Sequence, residues 1–171
     1  MKIFLIGFMG AGKTTYGRKL ASALDLEFID LDNHIEKKHK ASIPFMFDLV
    51  GESGFRLIEH RTLIDVLNGD NFVLSTGGGS VCYYDNMKLI SEQGITVYLK
   101  FPPSFLIKRL KNAKRKRPLI NNFSDIELTN FVDLKLKERE ETYNQAKIII
   151  DGTTMNTKII TEAVLDYSNN Q

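Results

Sequence analysis

The apolar run Ile3-Phe4-Leu5-Ile6 passes directly into Gly7-Phe8-Met9-Gly10-Ala11-Gly12-Lys13-Thr14-Thr15. A run so short and so free of polar residues reads as a strand covered on both faces. The stretch TTYGRKLASAL that follows spaces Tyr16, Leu20 and Leu24 four apart and reads as a helix. Between them lies Gly-x-x-x-x-Gly-Lys-Thr, in the strand–loop–helix setting that this pattern requires. Glycines let successive backbone N–H groups turn inward toward phosphate oxygens, and the helix start adds its positive dipole end. Lys13 supplies a full charge for the β- and γ-phosphates, and Thr14 a hydroxyl for Mg²⁺. Gly10, Ala11, Gly12, Lys13, Thr14 and Thr15 are therefore expected to hold the phosphates of a nucleoside triphosphate.

Further β-rich apolar runs fall at residues 27–29, 72–75, 95–100 and 147–150. The segments between them carry helical spacing: Phe55, Ile58, Leu63 and Leu67 in one, Ile160, Val164 and Tyr167 in another. Apolar strands alternating with helices give an α/β fold, a five-stranded parallel sheet flanked by helices with right-handed crossovers. Residues 1–171 are expected to form one domain. Two segments exceed a minimal alternation. Residues 32–60 are long, charged and mostly helical, and residues 111–125, KNAKRKRPLINNFSD, have no apolar period. Irregular segments of that length in a compact domain are commonly functional.

The phosphate loop identifies a donor and leaves the recipient open. No Asp ends the third strand candidate, Phe72-Val73-Leu74-Ser75, which runs into Thr76-Gly77-Gly78-Gly79. Only the second ends in a pair of carboxylates, Phe28-Ile29-Asp30-Leu31-Asp32. Alternation along an extended segment would turn Asp30 and Asp32 to one side, at the carboxyl end of a parallel strand where ligands collect. One would then serve Mg²⁺ and the other an acceptor hydroxyl. Asp32 as the N-cap of a helix is the alternative, and the two roles are compatible. Arg56 and Glu59 at i, i+3 fit a surface pair as well as a site. The Gly77–Gly79 run fits a close backbone approach or a flexible loop. Arg139, within Lys135-Leu136-Lys137-Glu138-Arg139-Glu140-Glu141, reads by composition as part of a solvated helix face. The basic run from Lys108 to Arg117 suits a cationic lid over phosphates. It also suits an RNA-binding patch, although no aromatic residues are interleaved for base stacking.

Bulk properties narrow the classes. With 23 Lys and Arg against 21 Asp and Glu, the net charge of +2 gives no general attraction to nucleic acid or membrane. The single cysteine, Cys82, has no disulfide partner within the chain. No stretch approaches the ~18 apolar residues of a membrane span. The apolar run after Lys2 is too short for a signal-peptide core, so a cytoplasmic location is expected. A guanine-nucleotide switch would need an N-K-x-D segment, which the sequence lacks.

Taken in order, GFMGAGKTTYGRKLA, FIDLD, GESGFRLIE, STGGGSV, RPL at 117–119 and Arg139-Glu140-Glu141-Thr142-Tyr143 resemble the shikimate kinases, of the nucleoside-monophosphate-kinase-like P-loop kinases. The resemblance spans residues 2–150. It implies ATP-dependent phosphorylation of the 3-hydroxyl of shikimate, in the route to chorismate and the aromatic amino acids, by a monomer. It implies that Asp32 binds shikimate hydroxyls, that Arg56 and Arg139 grip its carboxylate, and that Gly78 meets the ring through backbone. Mg²⁺ would rest on Thr14 and, through water, on Asp30. Arg117 would close onto the phosphates from a lid at 111–124, and residues 32–60 would form the substrate-binding subdomain. A carboxylate held by two guanidiniums gains planar, charge-assisted bonds that lysine does not reproduce. An ordinary aspartate, with a pKa of ~3.9, is a poor base for a hydroxyl, so Asp32 is read as an orienting residue with base character. The sequence departs from the resemblance at Asp151-Gly152-Thr153-Thr154-Met155-Asn156, where many relatives carry an arginine for adenine; Met155 is the remaining candidate there. A gluconate kinase is the nearest alternative, since that acceptor also offers a carboxylate.

Overall fold

The computed structural model describes residues 1–113, 118–120 and 122–170. Five parallel strands form one sheet: β1 (Lys2–Ile6), β2 (Glu27–Asp30), β3 (Phe72–Ser75), β4 (Ile95–Lys100) and β5 (Ile148–Asp151), in the order β2-β3-β1-β4-β5. β1 is central. Ile3, Phe4, Leu5 and Ile6 are wholly buried, which is why this strand lacks a polar face in the sequence. Its neighbours are fixed in register by Ile3 opposite Val73 on one side and Ile95 on the other.

The helices are α1 (Lys13–Leu24), α2 (Leu31–His39), α3 (Ile43–Leu67), α4 (Asn86–Gln93), α5 (Pro103–Lys111), α6 (Asp125–Tyr143) and α7 (Thr157–Asn169). Short 3₁₀ turns occupy Ser80–Cys82 and Pro118–Ile120. The expected helix at 55–67 is the later part of α3, which starts at Ile43 behind the capping side chain of Ser42. Gly51 interrupts α3 with φ 68° and ψ −179°. The expected subdomain, residues 32–60, thus comprises most of α2 and the larger part of α3, which pack against each other.

The alternation argument for the aspartates is corrected by the local structure. β2 stops at Asp30, whose carboxylate caps α2 by accepting from the Asn33 amide at 3.1 Å. Asp32 lies in the first helical turn instead, where a carboxylate favours the dipole. The cap is Asp30, because a side chain two or three residues before the N2 and N3 amides reaches them more easily than one already inside the helix. α6 also departs from a solvated face. Leu128, Val132, Leu136, Arg139 and Tyr143 recur at three- and four-residue spacing and are all buried. Tyr143 packs on Tyr98 of β4 with ring centroids 5.1 Å apart, which fixes α6 against the carboxyl end of the sheet.

Candidate active site

A cavity of about 570 Å³ opens at the carboxyl ends of β1, β2 and β3. Its phosphate end is the loop between β1 and α1. Gly12, the N-cap of α1, adopts φ 91°, a left-handed conformation that L side chains resist. Gly10, Gly12, Lys13, Thr14 and Thr15 line the cavity. Ala11 does not: its side chain is fully buried in the core and its amide donates to the Phe8 carbonyl at 3.1 Å. The Lys13 ammonium lies inside the loop, donating to the carbonyls of Gly7 at 2.8 Å and Phe8 at 3.2 Å. The Thr14 hydroxyl donates to Asp30 Oδ2 at 2.7 Å. One aspartate therefore both caps α2 and joins the phosphate loop.

Arg109 belongs to this end as well. Its guanidinium lies over the rings of Phe101 (4.9 Å) and Phe105 (4.4 Å) and donates to the Gly10 carbonyl at 3.0 Å. The sequence reading merged Arg109 into a basic run. The signal for it was the four-residue spacing of Phe105 and Arg109, which places both on one face of α5, with Phe101 just before the helix beneath the same guanidinium. Met155 is buried and does not line the cavity.

At the other end, Arg56 of α3 is buried rather than on the surface. Its Nη1 donates to Glu59 Oε2 at 2.9 Å and its Nη2 to Glu52 Oε1 at 3.1 Å. Glu59, one turn on, is 1% exposed. Burial lifts its carboxyl to about 7 despite the pull of Arg56, and the nearby Asp32 charge adds to the rise. Burial also works against the Arg56 charge, but Glu59 outweighs it and keeps the guanidinium protonated above its ordinary range. The pair is thus asymmetric, with a firm cation and a carboxyl poised near neutrality.

The three glycines after β3 fit against these charges. A Cβ on Gly77 would stand 2.2 Å from Glu59 Oε1 and 3.2 Å from Asp32 Oδ1, so the loop runs between the two carboxylates only without a side chain. Gly79 faces the Arg139 guanidinium, where a Cβ would stand 3.1 Å from its carbon, tight but less severe than at Gly77. Arg139 is 5% exposed and donates to the Gly78 carbonyl at 3.0 Å, while the Tyr143 hydroxyl donates to the same oxygen at 2.8 Å. The Gly78 carbonyl is thereby committed within the protein, and any ligand contact by Gly78 falls to its N–H or Cα. Burial pushes the Cys82 thiol up, so it stays protonated beside this cluster.

Asp30, Asp32, Arg56, Gly78 and Arg139 all line the same cavity as the phosphate loop, although they come from distant parts of the chain. Leu119, of the turn at 118–120, lines it too. Arg117 lies outside the described residues. The sequence reading had not placed Glu52, Glu59 or Arg109 among the functional residues.

A triphosphate loop at the centre of a 2-3-1-4-5 parallel sheet, with a charged pocket for a second substrate beside it, defines a P-loop kinase. The family model described as shikimate kinase matches residues 9–168. A shikimate kinase of Phocaeicola vulgatus is 41% identical over 165 residues, covering 96% of this chain and 94% of the relative. Among solved structures, a shikimate kinase from Bacteroides thetaiotaomicron superposes with a TM-score of 0.86 at 38% identity, covering 99% of this chain and 97% of that one. One from Acinetobacter baumannii, solved in complex with shikimate, gives 0.84 at 34% identity, covering 99% and 93%. The chain belongs to the shikimate kinase family and is an ATP-dependent kinase of that type.

Proposed function

We propose that this chain transfers the γ-phosphoryl group of ATP to the 3-hydroxyl of shikimate, with the cavity divided between donor and acceptor as its charges suggest. The observation that carries the reading is the burial of Arg56 and Arg139 on the walls of the cavity that also contains Lys13. Two buried guanidiniums in one pocket suit a planar carboxylate. Asp32 orients the acceptor hydroxyl. The hydroxyl oxygen attacks the γ-phosphorus, the bond to the ADP oxygen breaks, and the hydroxyl proton leaves toward Asp32. In a loose transition state the proton departs late, so orientation matters more than early abstraction. Gly10 and Gly12 to Thr15 hold the triphosphate, and Lys13 balances the charge that builds on its terminal oxygens.

The Thr14 hydroxyl and Asp30 carboxylate, 2.7 Å apart, are a pair of hard oxygen donors suited to Mg²⁺, an ion held mainly by phosphates and water. When bound, Mg²⁺ would neutralise charge between the β- and γ-phosphates. The turn at 118–120, packed toward α3 with Leu119 on the cavity, supports residues 111–124 as a lid that brings Arg117 to the phosphates. Residues 32–60 form the acceptor subdomain, and Arg109 on its two aromatic rings gives the nucleotide end a cation where residues 151–156 supply none. Among the described residues no helix is long and apolar enough to cross a membrane; we place the enzyme in the cytoplasm, acting on a small molecule as a monomer. A coupled ADP-release assay across shikimate, gluconate and nucleoside monophosphates tests the assignment. Turnover of shikimate above the others is expected, and none on shikimate overturns it.

A further inference from the structure

Arg56 is held from two sides. Inside the cavity Glu59 takes Nη1. On the outer side Glu52, about half exposed and not part of the cavity wall, takes Nη2. Glu52 is itself fixed by the Tyr83 hydroxyl, which donates to the same Oε1 at 2.9 Å. The Tyr83 ring lies 4.4 Å from the guanidinium carbon, so one tyrosine touches both members of the outer contact. Burial raises the Glu52 carboxyl, but hydrogen bonds from Tyr83 and Arg56 outweigh this and keep it ionised below its usual range. Arg56 Nε is buried with no partner among the described residues. An unpaired buried N–H is costly, and it persists where the orientation of the whole group is fixed by other contacts.

We propose that Glu52 and Tyr83 form an outer clamp that sets the plane of Arg56 for an acceptor carboxylate, making both of them positioning residues for acceptor recognition. This rests on the reading of Arg56 as a carboxylate-binding residue. With Nη1 and Nη2 committed to different carboxylates and one face covered by Tyr83, the guanidinium cannot rotate without breaking a charged bond. Neither Glu52 nor Tyr83 lines the cavity, so their effect passes through Arg56. Tyr83 follows the turn Ser80–Cys82 behind the three glycines, which ties the acceptor arginine of α3 to the loop facing Arg139.

Steady-state kinetics of the full chain tests the clamp with shikimate and with its carboxamide, in which the carboxylate is replaced by a neutral group. Glu52→Ala is expected to raise the KM for shikimate roughly tenfold, in the range that misplacing a binding group produces. kcat and the KM for ATP should stay within about twofold. Glu52→Gln, which keeps an oxygen for Nη2, should recover part of the loss. Tyr83→Phe, which keeps the ring, should raise the KM less than Glu52→Ala does. Because the hydroxyl acts through Glu52, the double variant Glu52→Ala/Tyr83→Phe should be no worse than Glu52→Ala alone. An unchanged shikimate KM in Glu52→Ala overturns the clamp, as does an equal loss with the carboxamide or a matching loss in ATP use. If the unaltered enzyme uses the carboxamide as well as shikimate, the carboxylate reading of Arg56 itself fails and the clamp with it. If it discriminates and Glu52→Ala does not alter that discrimination, only the clamp fails.

Discussion

At its phosphate end the cavity is walled by a single short loop, Gly10 and Gly12 to Thr15, in which Gly10 and Gly12 take positive φ. At the proposed acceptor end, Asp32, Arg56, Glu59, Gly78 and Arg139 converge from α2, α3, the loop after β3 and α6. The first end is a local object: given β1 and α1, the loop between them has few ways to run. The second is a packing result, held by a buried ion pair and by glycines that admit charges where a Cβ would stand. A backbone cradle should therefore fail only at the side chains that carry charge into it, whereas the acceptor end should respond to small changes of volume or protonation.

The largest effect is expected from Lys13→Ala. Removing a preorganised charge from the transferring phosphoryl group should lower kcat/KM about 10²–10³-fold. A loss under tenfold would mean that the cradle works by backbone alone. Next comes Arg56→Ala, for which the KM for shikimate should rise roughly thirtyfold or more, as for truncation of one partner of a buried charge pair. Nucleotide affinity, read by titration, should barely change; equal losses would erase the boundary between the two ends. Arg56→Lys should not restore binding, because a point charge lacks the planar fork.

Gly77→Ala probes the packing side of the contrast. Its Cβ would meet Glu59 Oε1, so a destabilisation of about 1–3 kcal/mol is expected in denaturant unfolding. A neutral result would show that Glu59 moves freely.

The smallest effect is the pH response of Glu59. Its carboxyl sits at about 7 when folded, against ~4.3 for an ordinary glutamate. Between those values the folded chain retains a proton that the unfolded chain has released, so this group's contribution to stability falls as pH rises through the window and is level above it. Glu59→Gln abolishes that slope. The Tm difference between the unaltered protein and the variant should therefore drift downward from about pH 4.5 to 7. A difference constant across the window would place Glu59 in an ordinary environment.

This contrast also explains what could be read before the fold was known. The phosphate loop and the strands β1, β3 and β4 are written in consecutive residues, and the structure returns them at the expected positions. That Asp32, Arg56, Gly78 and Arg139 share one cavity was to be expected only from the whole set of motifs. Taken singly, Arg56 beside Glu59 reads as a surface pair and Arg139 as a solvated face, because burial comes from α3 and α6 packing onto the sheet and leaves little trace in local composition. Asp30 and Asp32 exchanged the expected capping role for a similar reason: where a strand ends is decided by its partner β3, paired up to Asp30 with Ser75. Arg109 escaped notice because its meaning depends on two aromatic residues at earlier turns.

The interruption of α3 at Gly51 has a consequence for how such an enzyme changes over generations. Downstream of it lie Arg56 and Glu59, paired and buried. Upstream, residues 43–50 form a separate short helical run that places Ile43, Pro44 and Phe47 on the cavity and leaves Phe45 and Leu49 outside. Because the break at Gly51 sets residues 43–50 apart from the turn that carries Arg56, substitutions in the upstream segment should alter the cavity wall more than the proposed carboxylate-binding group. A lineage could thus explore related hydroxy acids by rewriting eight residues, with the phosphate chemistry inherited unchanged.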